Sequence, residues 1–307
     1  MELRAKGVSK TYRRRAVVDD VSFQLPLGIT GLLGQNGAGK STLLKILATV
    51  LPASAGQVHY GSLDGRGALT EIRRRLGYLP QQFGLYDHQT GREFLAYACA
   101  LKGVTPWRVA QAEATRLMEE VGLNPQSRTR SGQYSGGMRQ RIGLAQSLIN
   151  HPDLLILDEP SRGLDPEERI RILNLVSMVS GHGRILLSTH LVTDLEQLAT
   201  HILVMHHGKL LAQGSPQDIA ARAESRVYVI TMERTVWPRL APAWTARQRE
   251  PGAPLVVNVQ VRADRVVVRV LADTIPESDD MDVAAAQPTL SDGYLALTGL
   301  RTIEAPP

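Results

Sequence analysis

Cysteine and long apolar runs are scarce or missing in this 307-residue sequence. Cys99 is the single cysteine, which excludes an internal disulfide and a zinc site built from several thiolates. A reducing compartment such as the cytoplasm is the simplest expectation. No run of about 18 apolar residues occurs, and the opening MELRAKGVSK lacks the apolar core of a signal peptide. The sequence therefore predicts neither a membrane span nor secretion.

Extreme charge is also absent, because the formal net charge is only +5. The densest basic clusters are the arginine triplets at 13–15 and 73–75. Either could face an anionic membrane or nucleic acid, but a solvated charged face is the simpler interpretation. The length suits two domains, or one large domain with an appendage.

The hydrophobic pattern changes character along the chain. Before residue 34, short β-like segments alternate with polar turns, which predicts an antiparallel β-layer. Between about 91 and 150, apolar residues recur at three- and four-residue steps, which predicts a helical subdomain. The apolar strands Leu154–Leu157 and Ile185–Leu187 alternate with helices, as in a mostly parallel α/β sheet with helices on its faces.

The composition shifts again near Arg226. Valine-rich segments bounded by Pro, Gly and charged turns predict a small β-rich accessory domain over 225–307, with a hairpin around 262–264. Residues 290–297 are expected to form a short helix that ends at Gly299. The main domain is expected to span residues 1–220.

A phosphate-binding loop is the strongest local signal. Gly34 is followed by four residues and then by Gly39-Lys40-Ser41, between an apolar strand and a helical run. Small glycines let backbone N–H groups point at an anion, and the following helix presents its positive end. Lys40 would reach the β- and γ-phosphates, and the Ser41 hydroxyl would bind Mg²⁺. The predicted nucleotide-binding residues here are Gly34, Gln35, Asn36, Gly37, Ala38, Gly39, Lys40, Ser41 and Thr42.

Two carboxylates follow the apolar strand in LLILDEP, at the strand end where open α/β sheets bind ligands. Asp158 can hold Mg²⁺ through water, and Glu159 can polarise an attacking water. An isolated Asp-Glu pair would be a solvated turn, but a phosphate loop upstream makes it the second half of a hydrolytic site.

A second glycine-rich helix start lies at Ser135, Gly136 and Gly137, within YSGGMRQR. These residues and the loop above resemble the ATP-binding subunits of ABC transporters, whose signature is a leucine followed by Ser-Gly-Gly. Tyr134 replaces that leucine. The resemblance extends over residues 1–220 and implies a P-loop NTPase fold that uses ATP and Mg²⁺.

The resemblance implies further site residues. Tyr12 would stack on adenine, Gln81 would touch Mg²⁺ and the attacking water, and His190 would sense the γ-phosphate. Gln82 leaves a one-residue ambiguity beside Gln81. Asp165, in Gly163-Leu164-Asp165, would belong to a loop at a dimer interface, and Arg162 beside it is less usual in the family. His206, His207 and Cys99 have no comparable context and are interpreted as surface residues and a small buried residue, respectively.

The resemblance also implies a function: a head-to-tail homodimer or pseudo-dimer in which ATP held by one subunit is capped by Ser135–Gly137 of the other. Such a subunit would work at the cytoplasmic face of the membrane with a separate permease. The tail PTLSDGYLALTGL resembles exporter ATPases, although Ser291 stands where an acidic residue is usual. Alternatives are an importer ATPase, a soluble ABC ATPase acting on nucleic acid or ribosomes, and a regulatory nucleotide-binding protein. Nucleic acid is not the expected partner.

Overall fold

A computed structural model describes residues 1–63, 68–247, 254–274 and 280–299 of the chain. The chain divides into two compact units, Met1–Leu210 and Leu211–Pro307. The assignment of ATP binding to residues 1–220 and of an accessory role to 225–307 stays a prediction.

The first unit contains two sheets and seven α-helices in its described part. Its strands are β1 (Leu3–Tyr12), β2 (Arg15–Leu25), β3 (Gly28–Leu33), β4 (Ala55–Tyr60), β5 (Leu76–Leu79), β6 (Leu154–Asp158), β7 (Arg184–Thr189), β8 (His201–His206) and β9 (Lys209–Gly214), the last of which leads into the second unit. Its helices are α1 (Lys40–Leu47), α2 (Ala68–Arg75), α3 (Gly91–Leu101), α4 (Trp107–Glu120), α5 (Gly136–Ser147), α6 (Pro166–Val179) and α7 (Val192–Leu198).

The larger sheet has the order β5-β6-β7-β3-β8-β9, and the pairs β5–β6, β6–β7, β7–β3 and β3–β8 are parallel. β6 is buried along its whole length, as expected for a strand covered on both faces. Because parallel strands end at one edge, Leu33, Asp158 and Thr189 bring their following loops together there. This edge holds the candidate site.

The smaller sheet is antiparallel, with the order β2-β1-β4. One buried apolar cluster joins side chains of this sheet, such as Leu3 and Phe23, to Leu43 of α1 and Ile156 of β6. The predicted α/β fold, with a mostly parallel core sheet, an antiparallel β-layer and a helical subdomain, is confirmed.

The helices that carry candidate residues begin at clear caps. Ser135 caps α5 by accepting a hydrogen bond from the Met138 N–H, and Asp165 caps α6 in the same way, with Pro166 at the first helical position. Thr90 and Glu93 form a reciprocal capping box at the start of α3. Serine, aspartate and threonine at these positions therefore fix where each helix starts.

The second unit combines a four-stranded antiparallel sheet of order β11-β12-β10-β13 with short helices. Its elements are α8 (Pro216–Ala220), β10 (Val227–Glu233), α9 (Trp237–Arg247), β11 (Leu255–Val261), β12 (Arg265–Leu271), β13 (Met281–Ala285) and α10 (Leu290–Thr298). The predicted hairpin around 262–264 joins β11 to β12. Gly299 ends α10 in a left-handed conformation, at φ 59°.

The tail motif has a structural role in this unit. Asp292, which is fully buried, completes a capping box with Thr289 and binds the Arg269 guanidinium of β12 at 2.6 Å. Burial alone would raise the pKa of Asp292, but the hydrogen bonds from Arg269 and Thr289 outweigh it and hold that pKa below its ordinary value. The motif thus ties α10 to the sheet.

Several boundaries differ from the sequence-based expectations. The helical run after the phosphate loop ends at Leu47, and the last helix of the subdomain expected over about 91–150 ends at Ser147. Helix α9 was not predicted, because Pro242 inside it breaks the helical pattern. Within the described ranges, none of the helices has the length and apolar character needed to cross a membrane.

Candidate active site

The loop between β3 and α1 has the backbone of a phosphate-binding turn. Gly39 adopts a left-handed φ of 100°, and a β-carbon there would lie 2.4 Å from the Val17 carbonyl oxygen. A β-carbon at Gly34 would lie 2.4 Å from the Met205 carbonyl oxygen. Both glycines are therefore required by close backbone contacts, which hold the loop against β2 and β8.

Lys40 is buried at the first position of α1, with only 5% of its surface exposed. Its Nζ donates hydrogen bonds to the carbonyl oxygens of Gly34 (2.6 Å) and Gln35 (3.1 Å). Burial lowers the pKa of Lys40, although the nearby carboxylates of Glu159 and Asp158 act in the opposite direction. The ammonium group thus folds back over the loop to which a phosphate would bind.

Asp158 ends strand β6 and is fully buried. Its Oδ1 accepts a 2.7 Å hydrogen bond from the Ser188 hydroxyl, whereas Oδ2 has no hydrogen-bond partner among the described residues. A buried carboxylate oxygen without a partner is costly, and a hydrated Mg²⁺ would satisfy it. The oxygen donors Asp158 and Ser41 fit Mg²⁺, which uses few protein ligands and keeps several waters. The described residues contain no cluster of three or more His, Cys, Asp or Glu side chains suited to a metal.

Glu159 follows Asp158 and is 5% exposed. It is one of the few non-glycine residues with a left-handed backbone, at φ 49°. Its N–H donates to the carbonyl oxygen (3.2 Å) and the hydroxyl (3.0 Å) of Ser188, the residue paired with Asp158 in β7. This anchorage turns the Glu159 side chain toward the end of the sheet.

Four groups surround the Glu159 carboxylate. Oε1 lies 3.8 Å from Lys40 Nζ. Oε2 accepts a 3.3 Å hydrogen bond from Gln81 Nε2 and lies 3.6 Å from His190 Nδ1. Arg162 Nη1 is 3.4 Å from the same Oε2. The structure therefore brings together Lys40, Asp158, Glu159, Gln81 and His190, which we call the strand-end cluster.

Gln81 and Gln82 differ in what they contact. Gln81 follows β5, the strand beside β6, and its amide reaches the Glu159 carboxylate, whereas Gln82 is exposed. Arg162 and Ser188 were not predicted as site residues. Arg162 stood out only as unusual beside Gly163, and Ser188 had no signal beyond lying two residues before His190.

Ser135, Gly136 and Gly137 form the start of α5, and the first two are exposed. Within the described chain, no hydrogen bond or ion pair joins them to the strand-end cluster. Tyr134, in the place of the family's leucine, is buried, and its hydroxyl accepts a 2.9 Å hydrogen bond from the Gly91 N–H. The substitution thus adds a polar tie between this loop and α3. We call residues 134–137 the signature loop.

Tyr12 and Asp165, two predicted residues outside these loops, lie on exposed positions. Tyr12, at the end of β1, is 45% exposed, and Lys10 Nζ lies 5.5 Å from the centre of its ring. Asp165 is exposed and caps α6. No hydrogen bond or ion pair among the described residues connects either one to the strand-end cluster. Of the residues with no predicted role, Cys99 is fully buried, while His206 is half-buried and His207 exposed.

Known proteins with similar sequences point to one family. A family model described as "ABC transporter" matches residues 18–162. The daunorubicin resistance ATP-binding protein DrrA3 of Streptomyces coeruleorubidus is 33% identical, and the alignment covers 95% of this chain and 94% of that protein. The daunorubicin/doxorubicin resistance ATP-binding protein DrrA of Streptomyces peucetius is 30% identical, with 97% and 92% covered.

Solved structures agree with this assignment. One described as an ATP-binding subunit of an ABC transporter matches with a TM-score of 0.63 and 28% identity, over 72% of this chain and 93% of that one. A dimeric ATP-binding cassette, MJ0796, bound to ADP and Pi, shares the fold at a TM-score of 0.63 and 23% identity, over 69% and 98%. The chain therefore belongs to the ABC transporter family, as an ATP-binding subunit that hydrolyses ATP.

Proposed function

We propose that this subunit powers an exporter whose membrane-spanning part is a separate polypeptide. The support comes from relatives named for daunorubicin resistance, which match the chain over nearly its full length, including the second unit. Such names favour export over import and over action on nucleic acid. The subunit would then bind peripherally, at the cytoplasmic face of the membrane.

The observation that carries the proposed chemistry is the position of the Glu159 carboxylate. It is buried at a strand end, 3.8 Å from the phosphate-loop lysine and 3.3 Å from Gln81. A carboxylate held there can orient a water for attack on the terminal phosphoryl group. Lys40 then neutralises developing charge on the phosphate oxygens. His190 lies on the other side of the same carboxylate, with its Nδ1 3.6 Å from Glu159 Oε2.

The remaining residues would bind the nucleotide and its metal. ATP phosphates would contact the loop from Gly34 to Thr42, and adenine would stack on the exposed ring of Tyr12. Ser41, Asp158 and Gln81 would hold Mg²⁺, which neutralises charge between the β- and γ-phosphates when it is bound.

The signature loop and Asp165 would act on the nucleotide of a second subunit. Ser135 and Gly136 are exposed at the start of a twelve-residue helix, where backbone N–H groups and the helix dipole favour an anion. ATP would then bind between two subunits, and the free-energy difference between the closed and open dimer would drive the permease.

The assignment of Glu159 can be tested by separating binding from turnover. Glu159→Gln should keep ATP binding but slow hydrolysis by about a hundredfold or more, on the order of 3 kcal/mol of barrier. Lys40→Ala should instead weaken binding. Glu119→Gln makes the same chemical change on an exposed position of α4 and serves as the control. Equilibrium ATP titration and a phosphate-release assay give the two readouts. Near-normal hydrolysis by Glu159→Gln would remove the proposed role.

A further inference from the structure

We infer that Arg162 is a positioning residue for ATP hydrolysis, which orients the Glu159 carboxylate by holding its Oε2 atom. This inference rests on the proposed role of Glu159 in orienting water. Arg162 is the one member of the four groups around that carboxylate that does not belong to the predicted site residues. Its Nη1 lies 3.4 Å from Oε2, and its side chain is 52% exposed while that of Glu159 is 4% exposed.

The backbone brings Arg162 back toward Glu159. The Arg162 N–H donates a 3.1 Å hydrogen bond to the Glu159 carbonyl oxygen, so residues 159–162 form a tight turn. The turn begins at the left-handed Glu159. An arginine at the fourth position of this turn can reach the carboxylate at the first position without extending away from the protein.

A buried polar network that includes Ser161 also holds this turn in place. The Ser161 hydroxyl donates to Asp194 Oδ2 at 3.2 Å, and Asp194 is 1% exposed. Arg169 of α6 binds the other oxygen of Asp194, with its Nε at 2.8 Å. Because Ser161 is tied to both α6 and α7, the neighbouring Arg162 starts from a fixed backbone position.

The two oxygens of Glu159 have different surroundings. Arg162, Gln81 and His190 all approach Oε2, whereas Oε1 faces Lys40 and the phosphate loop. Oε1 is therefore the oxygen available to accept a hydrogen bond from the attacking water. With Oε2 paired with the Arg162 cation and hydrogen-bonded to Gln81, rotation of the carboxylate about its last torsion is restrained, and Oε1 keeps its direction.

The inference predicts a loss of turnover without a loss of ATP binding. Arg162→Ala should lower kcat by about tenfold, as expected when a reacting group loses its orientation, and should change KM for ATP by less than about twofold. Arg162→Lys should recover most of that loss because it restores a cation beside Oε2. In the Glu159→Gln background, Arg162→Ala should cause no further loss.

The experiment measures steady-state ATP hydrolysis by the full-length chain and these variants. Arg116→Ala is the matched control, because Arg116 is also partly exposed and also pairs with a glutamate three residues away, Glu113. Unchanged kcat in Arg162→Ala beside a slow Glu159→Gln would overturn the inference and leave the role of Glu159 intact. A rise in KM alone, or a further loss in the double variant, would also overturn it. A Glu159→Gln variant with near-normal hydrolysis would instead overturn the proposed function on which it rests.

Discussion

The two glycine-rich helix starts of this chain, at α1 and α5, differ in what the chain places in front of them. At α1, Lys40 is buried and bonded to the loop carbonyls, and the Glu159 carboxylate lies beside it. At α5, Ser135 and Gly136 are exposed, and the Ser135 hydroxyl caps its own helix. The first start thus lies within a cluster of side chains from its own chain, whereas the second lies exposed at the surface.

The same substitution at the two starts should expose this difference most strongly. Gly39→Ala would force a β-carbon against the Val17 carbonyl oxygen at a left-handed φ, so we expect about 2–4 kcal/mol of lost stability and loss of ATP binding. At Gly136 the nearest atom to an added β-carbon is Leu164 Cδ2, at 3.6 Å, so Gly136→Ala should change stability by less than about 1 kcal/mol. Urea unfolding and ATP titration measure both effects. Equal losses at the two positions would contradict the comparison.

A mixing experiment asks whether the α5 start serves a second subunit. Lys40→Ala and Gly136→Asp should each abolish hydrolysis, the second because it places a carboxylate where the proposal puts a phosphate. A mixed dimer carries both lesions in one composite site and neither in the other, so part of the activity should return on mixing. Subunit exchange is verified by differently tagged chains. If exchange is complete and the mixture stays inactive, the two starts do not share a nucleotide.

The smallest expected effect concerns how the signature loop is held. Tyr134→Phe keeps the buried ring but removes the acceptor of the Gly91 N–H, so we expect a loss of about 1–2 kcal/mol in stability. Tyr97→Phe is the control, because that hydroxyl belongs to a side chain that is 43% exposed on α3. Urea unfolding gives the stability, and hydrogen exchange at Gly91 reports the local change. Unchanged exchange at Gly91 would show that the hydroxyl does not hold the loop.

Site residues that belong to short local motifs could be predicted from the sequence, whereas contacts between distant segments could not. Short motifs of consecutive residues identify the glycines, Lys40 and the strand-end carboxylates as site candidates, because the phosphate loop and the strand end are local structures. The approach of Gln81 to Glu159 depends on β5 lying beside β6, which only the sheet order provides. Gln81 was named through the family resemblance and not through spacing.

The unpredicted features depend either on an unusual backbone turn or on a side chain that contacts a distant segment. Arg162 is unusual in the sequence, but its contact with Glu159 requires a turn that begins with a left-handed backbone at Glu159. That conformation is usually marked by glycine, and position 159 is not a glycine. The Tyr134 hydroxyl bond crosses more than forty residues to Gly91. In the second unit, Asp292 of α10 is recognisable as part of a capping box, but its partner Arg269 lies on strand β12. Long-range partners of this kind leave no periodic signal in a single sequence.

The hydrogen bonds of Lys40 affect what a measured dissociation constant for ATP contains. Its ammonium already has three oxygen neighbours within its own chain, two loop carbonyls and the Glu159 carboxylate. A phosphate that binds Lys40 must therefore replace or share these oxygen neighbours of the ammonium group. The dissociation constant includes the work of releasing these neighbours, so the intrinsic strength of the lysine–phosphate contact exceeds what titration reports.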